Sequence, residues 1–205
     1  MQISADSIFT VTGPIPREPF WNVPNTITLT RIVVSPLVLL LPFWAGPTGS
    51  AVIAGGFLAV SLTDLLDGYL ARRYGTITRI GKLLDPLADK LLAVTAMLVL
   101  VAMPERMPHW TLPFVVAIVG RELAVTALRA MASAEGVLIS AAPLGKWKTG
   151  FQIAAITALI LHYPWFDLPV HELGLSLLLI ATGFTLWSGY DYFASYLRYR
   201  ENGPT

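Results

Sequence analysis

A bundle of six membrane-spanning helices is the fold this sequence predicts: an all-α membrane protein. Three observations predict it. Hydrophobic residues make up 55% of the 205 and charged residues 13%, where a soluble domain carries about 25% charged. Apolar stretches of about 20 residues, the length a bilayer core requires, recur along the chain. Lys and Arg gather at alternate connections between those stretches, as the positive-inside tendency asks of a multi-span protein.

The spans follow in order. They are expected at about residues 26–45, 52–70, 83–103, 110–130, 151–163 with the turn upstream of it, and 173–197. Breaks fall between them at Gly46-Pro47, from Pro104 to Pro108, and from Pro164 to Pro169. The fifth span is the weakest, because Lys146 and Lys148 lie at its start. Five spans with that segment re-entrant is the alternative. With the N-terminus inside, the inner side receives Arg17, then Arg72, Arg73, Arg79 and Lys82, then Arg129, Lys146 and Lys148, and last Arg198 and Arg200. The outer connections hold only Arg106. Both termini are therefore expected in the cytoplasm. Residues 1–20 carry Asp6, Pro14, Pro16 and Pro19 and no continuous apolar core, which does not fit a cleaved signal peptide. They are expected to be an interfacial or irregular segment ahead of one domain at 21–200, with Phe20 and Trp21 as headgroup-level anchors.

Composition also excludes functions. The formal net charge of +1 gives no reason to expect nucleic acid as a partner. The absence of cysteine removes thiol catalysis, disulfides and Cys-based zinc sites. His109, His162 and His171 fall at expected outer ends and read as ordinary interfacial residues.

The chemistry gathers on the second and third spans. Asp64, Asp67, Gly68 and Ala71 share one helical face, with Arg72 at its margin. Gly81, Asp85 and Asp89, spaced by four, share a face of the next helix. A short connection makes the two helices antiparallel neighbours, so four carboxylates converge near the inner membrane surface. Four close anions repel, and burying them is costly. Hard cations such as Mg²⁺ or Mn²⁺ are the natural remedy, and a pair of them suits in-line displacement at phosphorus. Gly68, Ala71 and Gly81 keep the face low for a bulky ligand, and Arg72 offers a fork suited to phosphate. Simple pairing of the acids with Arg72, Arg73, Arg79, Lys82 and Lys90 is the structural alternative. Four Asp interleaved with small residues on adjoining helices weigh against it, since intramembrane acids are usually functional.

The stretch from Asp64 to Asp89 resembles the signature of the CDP-alcohol phosphatidyltransferases, D-x2-D-G-x2-A-R-x8-G-x3-D-x3-D, at all eight fixed positions. Softer likenesses point to the bacterial phosphatidylglycerophosphate synthase branch. They are segment 22–31, Arg121-Glu122 with Ala127-Leu128-Arg129, segment 145–149, and segment 185–188. The resemblance implies the six-helix CDP-alcohol phosphatidyltransferase fold, usually as a homodimer, with a site open to the cytosol and to membrane lipid. It implies that Asp64, Asp67 and Asp85 hold two divalent cations and that Asp89 is the general base, with metal ligation as a second role for it. It places Gly68, Ala71, Arg72 and Gly81 at the CDP group. For this branch the donor is CDP-diacylglycerol and the acceptor sn-glycerol 3-phosphate, and the products are phosphatidylglycerophosphate and CMP.

Two more groups bear on that site. Arg121 and Glu122 fall inside the fourth span, where charge is expensive. With Arg129, Lys146 and Lys148 they suggest a pocket for the acceptor phosphate; a buried Arg121–Glu122 pair among ordinary inner-side cations is the alternative. Asn25, Thr28 and Arg31, spaced by three, are placed either to reach the nucleotide or to cap and anchor the first helix. The rival functions are the same chemistry on inositol phosphate, serine or phosphatidylglycerol, and cation transport. A transporter site is expected near the midplane with repeats or broken helices, and the sequence has no repeat.

Overall fold

The structure is a computed structural model that describes residues 23–74, 79–134 and 144–202. The side chains of 23–25, 27, 64–74, 79–87, 89, 133–134, 144–146 and 201–202 lie outside the description, as does the expected lead-in at 1–20. Helices run in the order α1 (Val23–Val34), a 3-10 segment (Ser35–Phe43), α2 (Pro47–Tyr74), α3 (Arg79–Val101), a 3-10 turn (His109–Thr111), α4 (Leu112–Ala134), α5 (Leu144–Leu161) and α6 (Val170–Asn202). Among the described residues the one extended pairing is an isolated bridge between Trp165 and Leu168.

The expected first span is not one α-helix. Pro36 has no N–H to give Ile32, and its ring crowds that carbonyl, so the α ladder stops there. Ser35 Oγ donates back to the Arg31 carbonyl at 2.8 Å at the same place. The chain continues as 3-10 helix through Pro42 to Phe43, longer than such runs usually are. Trp44 N–H closes the segment on the Leu40 and Leu41 carbonyls at 3.0 and 3.2 Å. The burial pattern changes with the winding. Thr28, Arg31 and Ser35 are buried at α spacing; Ser35, Val38 and Leu41 follow at intervals of three.

Pro47 opens α2 at its first position, where a missing N–H costs nothing. Gly49 meets Trp44 so closely that a Cβ there would stand 2.2 Å from the Trp44 carbonyl oxygen. The turn into α2 therefore requires glycine. Pro86 stands inside α3, between Asp85 and Asp89, and withdraws one N–H from that helix's ladder. The turn from α5 to α6 is made by His162, Phe166 and Asp167, all with positive φ, at 63°, 52° and 60°.

One apolar core runs through the 3-10 segment and α2 to α6. It is centred on Leu41, Met97, Leu100, Ile118, Leu159 and Leu178. A smaller cluster of Val125, Leu128, Ala132, Tyr192 and Tyr196 joins α4 to α6. Small residues let α5 and α6 come close: a Cβ on Gly174 would lie 3.0 Å from the Leu159 side chain, and Phe151 and Phe184 stack at 5.3 Å. Large apolar side chains such as Val116, Leu123, Trp187 and Tyr190 face outward. In water such a surface would be a liability.

The bundle end opposite the aspartates is held by Arg106. The sequence reads it as the lone outer cation, and the structure buries it to 1% exposure. Its Nη1 donates to the carbonyls of Leu159, at 3.3 Å, and Ile160. Its Nη2 donates to Ala45 O at 2.9 Å and Ser50 Oγ at 2.7 Å. The Tyr163 hydroxyl joins on the same Ala45 carbonyl at 2.9 Å, and its ring centre lies 6.0 Å from the guanidinium carbon. Three connections are thereby tied at one side chain, a planar fork that no lysine reproduces.

Candidate active site

The aspartates predicted to carry the chemistry fall on two helices joined by four residues. Asp64, Asp67, Gly68, Ala71 and Arg72 occupy the last turns of α2, and Gly81, Asp85 and Asp89 the first turns of α3. Four intervening residues hold Tyr74 and Arg79 within about 18 Å of each other. The side chains of these eight lie outside the described residues, so their convergence remains a reading of register. The donor set itself fits hard divalent cations, because it is all carboxylate oxygen with no sulfur or imidazole. Among the described residues there is no other group of three potential metal ligands.

Beside them the description resumes at Thr63, whose Oγ1 donates to Ala59 O at 2.7 Å. Thr63, Thr30, Arg31 and Val60 line a cavity of about 50 Å³ one residue from Asp64. Val60 also borders a larger apolar cavity of about 210 Å³ between the 3-10 segment and α2, where Leu37, Trp44, Gly56 and Phe57 form walls. Thr28 and Arg31 are buried in the interior of α1, on the side that packs against α2 and α3. Thr28 is the sixth residue of a helix that starts at Val23, so capping is not its role. Asn25 lies on α1 with its side chain outside the description.

The second polar group is resolved in detail. Arg121 Nη1 donates to Glu122 Oε1 at 3.1 Å and Nη2 to Ser188 Oγ on α6 at 2.9 Å. The guanidinium carbon stands 5.5 Å from the Tyr192 ring centre. Lys148 on α5 pairs with the same Glu122 Oε1. Lys90 on α3 donates to Thr126 Oγ1, which donates to the Glu122 carbonyl at 2.6 Å. Lys90, Glu122, Lys148, Thr149 and Gln152, with apolar Ala93, Val94, Ile153 and Ile156, line a small cavity of about 30 Å³ among α3, α4 and α5. So of the predicted acceptor residues, Arg121 and Lys148 come together on Glu122. Arg129 lies about two turns farther along α4 and is exposed. Lys146 is on α5 with its side chain undescribed.

Sequence reasoning named Lys90 only as a pairing partner for the acids and passed over Gln152 and Tyr192. Lys90 was detectable as an intramembrane charge next to Asp89. Gln152 was detectable as the residue four after Lys148, on the same face.

Among the described residues two helical stretches, His109–Ala132 and Val170–Arg200, are long and apolar enough to cross a membrane. With charge held between helices and apolar side chains facing out, fold and site define a helical membrane protein with an internal polar site. The chain belongs to the CDP-alcohol phosphatidyltransferase family, whose model matches residues 21–187. It is 40% identical over 186 residues to the CDP-diacylglycerol–glycerol-3-phosphate 3-phosphatidyltransferase of Bacillus subtilis (strain 168), covering 85% of this chain and 94% of that one. It is 40% identical over 179 residues to the protein of the same name from Pseudomonas fluorescens, covering 83% and 88%. A cardiolipin synthase (CMP-forming) of Oryza sativa subsp. japonica is 33% identical over 191 residues, 86% of this chain and 58% of the relative.

Proposed function

We propose that this enzyme transfers the phosphatidyl group of CDP-diacylglycerol to sn-glycerol 3-phosphate, releasing phosphatidylglycerophosphate and CMP in phospholipid biosynthesis. The observation that carries the reading is likeness over nearly the whole length to two bacterial enzymes named for that reaction. Lys148 of α5 and Lys90 of α3, the residue after Asp89, line one cavity and agree with an acceptor that bears a phosphate. Cardiolipin synthesis is the second reading, motivated by the rice relative, of which the match spans only 58%.

Asp64, Asp67 and Asp85, with Asp89, are the residues to hold two divalent cations, Mg²⁺ or Mn²⁺. Bound there, these would neutralise the pyrophosphate and the departing CMP. Asp89 takes the proton of the acceptor hydroxyl. The freed oxygen bonds to the phosphorus that carries diacylglycerol, and the bond from that phosphorus to the CMP oxygen breaks, its electron pair leaving with CMP. Gly68, Ala71 and Gly81 leave room for the nucleotide, with Arg72, Asn25 and Thr28 as its polar partners. The apolar cavity beside Val60 suits a donor acyl chain, because Val60 also lines the pocket at Thr63, the residue before Asp64. The acceptor phosphate is met by the basic group of α4 and α5.

The same reading makes all six helices spans. The first span is α1, of 12 residues, continued by the 3-10 segment of 9; of the other five the shortest, α5, has 18 residues and is about 27 Å long, close to the bilayer core. Residues 21–200 then form one domain behind an interfacial segment, with termini and site on the cytoplasmic side of the cell membrane. A homodimer is the expected assembly.

An acceptor panel with labelled CDP-diacylglycerol tests the function. Glycerol 3-phosphate should be converted far faster than glycerol, serine, inositol phosphate or phosphatidylglycerol. Preference for any of those would replace the acceptor assignment, and no CMP release at all would remove the reaction.

A further inference from the structure

The apolar cavity of about 210 Å³ lies between two flanks of the chain. One is Val34 of α1, Val38 of the 3-10 segment and Trp44 at its end; the other is Val60, Gly56 and Val52 of α2. One turn beyond Val60 on α2 stands Thr63, and Val60 and Thr63 share the small cavity with Thr30 and Arg31. The track thus begins beside the residue before Asp64. Twelve α-helical residues separate Asp64 from Val52, about 18 Å, which passes the middle of a hydrocarbon core about 30 Å thick.

Trp44 closes the far end. Its ring lies over Gly49, one turn before Val52: a Cβ on Gly49 would stand 2.5 Å from Trp44 Cγ and 2.7 Å from Cδ1. Glycine there lets the indole reach across from the 3-10 segment to α2. The backbone under the ring is held on both sides. Trp44 N–H donates to the Leu40 and Leu41 carbonyls. The Ala45 carbonyl accepts from Arg106 Nη2 and the Tyr163 hydroxyl, each at 2.9 Å, and from Ser50 Oγ at 3.1 Å. Midway along the track a Cβ on Gly56 would meet nothing within 4 Å, so the space beside it is open.

We infer that this track is a ruler for one acyl chain of the donor, with Trp44 as its stop. The chain enters beside Thr63, passes Gly56 and ends against the indole. The inference rests on the reading above that the donor is CDP-diacylglycerol, and adds the residue that limits its chain length. The walls are apolar throughout, which suits a chain and offers nothing to a headgroup. Selection is by shape, because a chain gains no hydrophobic free energy on leaving lipid for an apolar groove. A chain that stops short of Trp44 leaves part of the wall without contacts. A chain that runs past it must force methylenes into filled space.

The test uses the full-length protein in detergent and reads CMP release as kcat/KM for dioctanoyl, dipalmitoyl and diarachidoyl CDP-diacylglycerol. Each variant is compared with wild type on the same donors, so that donor partition cancels. Gly56→Leu places a side chain in the track about 12 Å from the level of Asp64. It should lower the dipalmitoyl-to-dioctanoyl ratio about tenfold, the scale of overfilled space. Trp44→Ala removes the stop and should raise the diarachidoyl-to-dipalmitoyl ratio by a similar factor; Trp44→Phe should raise it less. Turnover with both ratios unchanged overturns the inference and leaves the track to bulk membrane lipid. A loss in equal proportion on every donor overturns it as well. If Gly56→Leu does not fold, Trp44→Ala decides alone, and an unchanged ratio there sinks the ruler. A preference for another acceptor would replace the acceptor assignment, while the ratios, read on the donor, would still judge the ruler. No CMP release from any donor by wild type would remove the reaction and the ruler together.

Discussion

Replacing Arg106 with methionine should destabilise the protein without touching its chemistry. The side chain fills the point where the 3-10 segment, the α3–α4 connection and the end of α5 meet, and it donates to four acceptors there. Methionine keeps the volume of the stem and leaves the carbonyls of Ala45, Leu159 and Ile160 without that donor. Hydrogen bonds to a charged group contribute about 1.5–3 kcal/mol each. These four are not independent; a buried acceptor left without its donor costs about 1–3 kcal/mol, so the loss should total about 3–5 kcal/mol. At about 2–4 °C per kcal/mol for a chain of this size, the melting temperature should fall by about 10 °C. Thermal unfolding in detergent followed by tryptophan fluorescence measures it, with Trp44 and Trp165 on the connections concerned. Arg106→Lys should recover only part, since a point-like ammonium cannot reach three connections at once. A melting curve for Arg106→Met within about 0.5 kcal/mol of wild type, the scatter of a surface substitution, would refute the argument.

Chelation should abolish turnover and Mg²⁺ or Mn²⁺ restore it, while Asp64→Asn or Asp85→Asn should lower activity by about a hundredfold or more; full turnover by metal-stripped enzyme would defeat this. Asp89→Asn should cut kcat by about 10²–10⁴-fold while CDP-diacylglycerol still binds, and loss of binding alone would move Asp89 to another role. Single cysteines at Thr48 and Asp167 should react with impermeant reagents outside intact cells and one at Thr78 should not; labelling of Thr78 alone would invert the topology. His162, outside the helices, is held below the ordinary 6.5 first by burial, then by the charges of Arg106 and His171. The unfolded chain then takes up a proton near pH 6.5 that the native chain refuses, so stability is complete above that pH and declines below it. Unfolding midpoints at pH 7.5 and 5.5 should differ more for wild type than for His162→Gln, and equal differences would contradict it.

The parts of the fold governed by hydropathy were legible in the sequence. The expected 83–103, 110–130 and 173–197 correspond to α3, α4 and α6 within a few residues. The fifth expected span, 151–163 with the turn upstream, was the weakest because hydropathy penalises Lys148; α5 runs Leu144–Leu161, and Glu122 on another helix takes that charge. The 3-10 segment escaped because hydropathy is blind to winding, although Pro36 and Pro42 signalled a break. The burial of Arg106 escaped for a different reason. Its partners are mostly backbone carbonyls, two in the last turn of α5 and one just before α2, and no residue pattern marks them. The Arg121–Glu122 pairing was one of two alternatives that adjacency already suggested. The seat of Arg121 against Gly189 belongs to α6, far along the chain, and only packing reveals it.

The winding of residues 35–43 also sets how that stretch tolerates change. In a 3-10 helix positions three apart eclipse one another, so Ser35, Val38 and Leu41 form one straight inner rail and Leu37, Leu40 and Phe43 a straight outer one. Along an α-helix the same triplets would drift by about 60° each step, and every side chain would be partly inward. Here a substitution scan should therefore read as a triplet rhythm, one sensitive site followed by two permissive ones. Removing a single residue would turn everything upstream by about a third of a circle against the core, whereas removing three would shorten the segment by about 6 Å and leave the rails aligned.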